Sequence, residues 1–155
     1  MTGSRSQKFN ELIVRLALRY KSRGPVLVLT PRVAHAEILG RMLKGYDPVV
    51  LTGKSKPRER QTAFKRIRQG ALITIATFNL FGEGIDVPGW SVLIMGGPVA
   101  GGPRTLQAIG RIMRPSPSKK KPLVIDLVDE HDFCKAAAFL REKVIDNNIR
   151  SVLCL

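Results

Sequence analysis

Cysteine occurs only twice in the 155 residues, as Cys134 and Cys154, far apart and with no CxxC or Cys/His cluster around either. That scarcity argues against a disulfide framework and against a zinc site, and leaves both residues as expected packing or terminal residues. No apolar run is long enough to span a bilayer, and the opening Met1-Thr2-Gly3-Ser4-Arg5-Ser6 lacks the hydrophobic stretch of a secretory signal. No membrane segment and a cytoplasmic setting are therefore expected. Acidic residues are also few: 12 Asp and Glu stand against 26 Lys and Arg, a formal charge of +14. An imbalance of that size points to a polyanionic partner, of which nucleic acid is the commonest for a soluble chain, although a merely soluble basic surface has the same total. Distribution favours the former. Between Lys54 and Gly70 stand Lys54, Lys56, Arg58, Arg60, Lys65, Arg66 and Arg68, with Glu59 as the one acid.

What is present reads as an α/β domain. Five runs, Val26–Thr30, Pro48–Thr52, Leu72–Thr77, Ser91–Gly96 and Pro122–Asp129, are near-continuously apolar, the mark of strands buried on both faces of a parallel sheet. Helical periodicity fills the gaps. Before the first strand, Phe9, Leu12, Ile13, Leu16, Ala17 and Tyr20 recur at helical spacing, and Ser22-Arg23-Gly24-Pro25 stops that helix. Pro57 suits a first helical position, and Pro103 and Pro115 bracket a fourth helical segment. Pro115-Ser116-Pro117-Ser118-Lys119-Lys120-Lys121 reads as a basic, solvated loop. One domain over residues 1–155 is expected, with its functional loops at the carboxyl ends of the strands.

The most specific pattern is Gln107-Ala108-Ile109-Gly110-Arg111-Ile112-Met113-Arg114-Pro115. On a helix, Gln107, Gly110, Arg111 and Arg114 share one face while Leu106, Ile109 and Met113 share another. Two arginines fixed side by side can set planar, permanently charged forks against phosphate oxygens as a phosphoryl bond breaks. Two arginines alone would read as a solvated helix face, but Gly110 inside the helix suits a close backbone approach. This Q-x-x-G-R-x-x-R run resembles motif VI of superfamily 2 helicases. Upstream, Ala76-Thr77-Phe78-Asn79-Leu80-Phe81-Gly82-Glu83-Gly84-Ile85-Asp86-Val87-Pro88 is similar to motif V of the same families. A glycine-rich loop after a strand is by itself more often a plain turn. Followed 21 residues after Asp86 by Gln107 and the paired arginines, it becomes a specific combination.

Less specific stretches fit the same resemblance. Val26 to Arg32, with the helix after it, looks like motif IV, and Leu51-Thr52-Gly53-Lys54 with the following helix resembles a nucleic-acid-contacting segment. In that helix Ala63, Phe64 and Ile67 form the packing stripe, Arg58 and Lys65 point away from it, and Arg60 sits at its edge, for a phosphate or for a structural ion pair. Thr52-Gly53-Lys54-Ser55 imitates the end of a Walker A loop, but the full pattern needs glycine at position 48, which is Pro48. Asp129-Glu130 lies in the last β–α connection, where the resemblance assigns no metal role. His35 and His131 are isolated, and a lone histidine is usually a satisfied surface or core residue.

The resemblance implies a RecA-like three-layer α/β/α sandwich with a mainly parallel central sheet, the second lobe of an ATP-dependent motor. It assigns Arg111 and Arg114 as arginine fingers and places Gln107, Gly84 and Asp86 near the nucleotide. It assigns Thr77, Gly53, Lys54, Arg58, Lys65 and Arg32 to the nucleic-acid backbone. ATP with Mg²⁺ would be held by an N-terminal RecA-like lobe that these residues do not contain, so the segment alone is expected to be inactive. Glu83 to Pro88 and the leading Gln107 look more like DNA-directed bacterial, phage and restriction-type translocases than DEAD-box proteins, so DNA is expected rather than RNA. The alternatives are an RNA helicase, a non-catalytic nucleic-acid-binding module, and an unrelated doubly wound nucleotide-binding domain.

Overall fold

Glycine and proline placement sets the first boundary of the fold. The helix α1 (Gly3–Tyr20) ends where Arg23 N–H bonds Tyr20 O and Gly24 N–H bonds Lys21 O, and Pro25 then leads into β1 (Val26–Thr30). In the computed structural model, residues 3–81, 90–97, 123–128 and 150–154 are described. After β1 come α2 (Val33–Met42), a 3-10 turn (Lys44–Tyr46), β2 (Val49–Leu51), α3 (Pro57–Arg68), β3 (Ile73–Thr77), the single turn α4 (Phe78–Phe81), β4 (Val92–Met95), β5 (Leu123–Val128) and β6 (Arg150–Cys154). The expected fourth helical segment between Pro103 and Pro115 lies outside the described residues.

The six strands form one sheet in the order β2-β3-β1-β4-β5-β6, and every neighbouring pair is parallel. Parallel strands need crossovers, and the helices supply them on both faces. Along β1, Val26 and Val28 face α1 and α2, where they join Ile13, Leu16, Ala17, Ala36 and Leu39. Leu27 and Leu29 face α3, where they join Ala63 with Phe64 and Ile67 against it. The period of two along each strand thus divides one apolar run between two cores, which is why the strands read as continuous rather than alternating. The result is the expected three-layer, RecA-like sandwich. The sixth strand, beginning Arg150-Ser151, was not among the expected runs.

Two further expectations can be placed. Phe9, Leu12 and Tyr20 pack beside Ile13, Leu16 and Ala17 against the sheet. His35 is indeed a satisfied histidine: its Nε2 lies 2.7 Å from Asn10 Oδ1, its ring is tilted against Phe9, and burial pushes its pKa below the ordinary value. It ties α2 to α1 as a structural residue.

Candidate nucleic-acid interface at the carboxyl edge of the sheet

Because all strands run the same way, their carboxyl ends lie along one edge. The register pairs Thr30 with Thr77, and Leu51 with Ala76, so the last residues of β3 and β1 and the residue after β2 meet there as neighbours: Thr77, Thr30 and Thr52. All three threonines are buried. Thr30 donates its hydroxyl to the Arg32 carbonyl at 3.1 Å, and Thr52 Oγ1 accepts from Lys54 N–H at 3.2 Å. Thr77 differs: its hydroxyl is buried and has no hydrogen-bond partner among the described residues. An unmatched buried hydroxyl normally costs about 1–3 kcal/mol, so such a group marks a place where a partner is to be sought.

The turn after β2 is built by its own polar groups. Ser55 N–H bonds Thr52 O at 3.0 Å, and Thr52 N–H bonds Ser55 Oγ at 3.0 Å. Arg60 fastens it from the helix below, with Nε on Ser55 O at 3.1 Å and a terminal nitrogen on Gly53 O at 3.4 Å. The edge-of-stripe arginine is therefore a backbone clamp for this turn. With the Thr52, Lys54 and Ser55 amides spent inside the turn, it does not offer the bouquet of free N–H groups that a phosphate-cradling P-loop requires. The turn thus departs from a Walker A loop in structure as well as in sequence. A Cβ built on Gly53 meets nothing within 4 Å, so the tip of the turn is open to a polymer backbone.

The next helix begins at Pro57, and the Glu59 carboxylate accepts the Lys56 N–H at 3.0 Å. The one acid of the basic segment is thereby used at a helix start, where negative charge is favourable. Ala63, Phe64 and Ile67 turn inward as expected, whereas Lys54, Lys56, Arg58 and Lys65 are exposed. Arg58 and Lys65 are seven residues apart on one outward face, about 10 Å along the axis. Arg32, exposed, stands immediately before α2 at the end of the neighbouring β1 loop. The fold therefore gathers Arg32, Gly53, Lys54, Arg58 and Thr77 at one edge, with Lys65 farther down α3. Gly84, Asp86, Gln107, Arg111 and Arg114 lie outside the described residues. Arg60 was the functional-looking residue whose role sequence reasoning left open; its spacing of five from Ser55 carries no motif.

Known proteins are similar over most of the chain. "ATP-dependent DNA helicase uvsW" of Enterobacteria phage T4 is 25% identical over 145 residues, 91% of this chain and 29% of that protein. The crystal structure of T4 UvsW superposes with a TM-score of 0.69 at 20% identity, covering 96% of this chain and 34% of the other. The C-terminal domain of the DEAD-box protein Dbp5 gives a TM-score of 0.75 at 19% identity, covering 96% and 84%. "Protein translocase subunit SecA" of Thermotoga neapolitana is 34% identical over 86 residues, 54% of this chain and 10% of that protein. The chain thus spans less than a third of these curated relatives. No helix among the described residues is long and apolar enough to cross a membrane. Residues 7–116, well over half the chain, match the helicase conserved C-terminal domain family, and the chain belongs to that family.

Proposed function

We propose that this chain is the second motor lobe of an ATP-dependent superfamily 2 nucleic-acid translocase or helicase, acting on DNA. The observation that carries the reading is the convergence of Arg32, the clamped Gly53–Lys54 turn, Arg58 and the unmatched Thr77 hydroxyl at one edge of a helicase C-terminal fold. Exposed cations there give sequence-tolerant attraction to phosphates, and the open Gly53 tip lets a backbone lie close. In this reading the Thr77 hydroxyl donates one hydrogen bond to an oxygen of a phosphate that reaches the buried strand end. The net charge favours nucleic acid over polypeptide as the moving polymer, notwithstanding the likeness to a protein translocase subunit. The name of the phage relative supports DNA.

Bound ATP would supply the phosphoryl group that passes to water while the two lobes are closed, and its hydrolysis would let the cleft reopen. The clamped turn at Thr52–Ser55 does not fit a triphosphate cradle, so the phosphates and Mg²⁺ are assigned to an N-terminal RecA-like lobe. The motif resemblance assigns Gln107, Gly84 and Asp86 to the nucleotide, and Arg111 and Arg114 as the guanidinium groups that stabilise the oxygens of the phosphoryl group in transfer.

Single-stranded binding tests the interface. Oligothymidylate affinity of the 155-residue chain should fall with salt, and Arg58→Ala combined with Lys65→Ala should remove two phosphate contacts. The slope of log K against log salt then flattens by about 1.4, at about 0.7 per phosphate on a single strand. An unchanged slope in the folded double variant would place the site on another face.

A further inference from the structure

The opposite, amino edge of the sheet carries a second arrangement that the motor reading leaves unused. All three long helices end there, since each runs back against its following strand. Lys21, just after α1, places its Nζ 4.8 Å from the centre of the Tyr46 ring, which belongs to the turn after α2. The ring is nonetheless 51% exposed. Its neighbour Asp47 is the single non-glycine residue with positive φ among the described residues, at 51°. Arg66, from the last turn of α3, holds that position with bonds to Asp47 O at 3.0 Å and Asp47 Oδ2 at 2.9 Å. Leu72, whose carbonyl accepts the Val26 N–H, is also 51% exposed on this edge, and Lys44 stands exposed two residues before Tyr46.

Each part has a plain explanation by itself. A basic residue at a helix end offsets the helix dipole, and a single exposed apolar side chain is ordinary. The combination is less ordinary. The half-exposed ring has a cation over it, the residue after it is pinned by a cross-element clamp, and cations flank it while the Asp47 carboxylate is paired with Arg66. An aromatic face beside backbone-gripping cations is what proteins use to hold unpaired bases without regard to sequence.

We propose that this amino edge is a second contact surface for single-stranded nucleic acid, stacking an unpaired base on Tyr46 while Lys21 and Lys44 hold the adjoining phosphates. The inference shares with the proposed function only the choice of polymer, because it concerns the edge remote from Thr77 and Arg58. It gives a strand leaving the motor edge a second place to rest on the same lobe.

Fluorescence anisotropy of the 155-residue chain with labelled oligothymidylate tests it, alongside photocrosslinking to a 5-iodouracil-substituted strand. Tyr46→Ala should weaken binding roughly fivefold or more, and Tyr46→Phe should keep most of the affinity because the ring remains. Lys21→Glu should weaken it as well, with an unchanged thermal midpoint for all three variants, and the crosslinked peptide should contain Tyr46. Unchanged affinity in Tyr46→Ala and Lys21→Glu with no crosslink at Tyr46 would overturn the proposal. So would loss of polyaspartate binding in these variants with oligothymidylate binding intact, which would make the edge a protein-docking surface. Arg58→Ala with Lys65→Ala is measured in parallel, so failure at one edge is read separately from failure at the other.

Discussion

In a two-lobed protein containing this chain, Arg114→Ala is expected to lower kcat roughly 10³–10⁵-fold while leaving the ATP Kd nearly unchanged. The reason is where charge changes. Ground-state nucleotide is held by the other lobe in this account, whereas Arg114 meets the transferring phosphoryl oxygens only when the lobes close. A preorganised donor aimed at charge that develops in the transition state affects kcat far more than binding. Arg114→Lys should recover little, because a point charge does not reproduce the planar two-pronged fork. Single-turnover hydrolysis with an independent nucleotide-binding assay makes the distinction. Near-normal kcat in a folded Arg114→Ala protein would remove the finger assignment, and loss of folding would make the arginine structural.

The largest stability effect is expected at Gly24. This residue turns the chain from α1 into β1 at φ +145°, a conformation that side chains rarely adopt. A Cβ there would also press into the Ser91 side chain, 2.8 Å from Ser91 Cβ and closer still to its Oγ. Ser91 has little room to retreat, being 6% exposed and bonded through its N–H to Pro25 O at 2.8 Å. Backbone strain of about 1–3 kcal/mol and overpacking of similar size act together, so Gly24→Ala should lose about 3 kcal/mol or more. For a domain of this size that lowers the melting temperature by roughly 6–12 °C, measurable by circular dichroism. A shift below 2 °C would show that the β1–β4 corner yields more easily than its packing implies.

The strands were legible because burial on both faces leaves a signal that no amphipathic element imitates. Val26–Thr30 needed no adjustment, the runs Pro48–Thr52, Leu72–Thr77 and Ser91–Gly96 shortened by one residue at one or both ends, and β5 (Leu123–Val128) lies within the expected run Pro122–Asp129, whose two end residues lie outside the described residues. β6 escaped notice because it opens with Arg150 and Ser151 and keeps an apolar run of only three residues, Val152 to Cys154. At the candidate interface, Pro57 and the Ala63, Phe64 and Ile67 stripe were readable from spacing. The Arg60 clamp was not, since its partners are backbone carbonyls, and carbonyls leave no trace in residue identity. Burial of Thr77 was equally invisible: a threonine at a strand end reads the same whether its hydroxyl faces solvent or the interior. The glycine-rich loop and the paired arginines were legible only as motifs, and the roles proposed for them rest on that resemblance.

A chain that grips nucleic acid but relies on another lobe to hold the nucleotide should not hydrolyse ATP by itself, which turnover by the purified 155-residue chain measures. With saturating single-stranded DNA, phosphate release is expected to stay at background, because the Thr52–Ser55 turn spends its amides on itself and no segment of the sequence has the full Walker A pattern. DNA-stimulated turnover by this chain alone, abolished by Lys54→Ala, would contradict the account and restore the turn after β2 as a phosphate-binding loop.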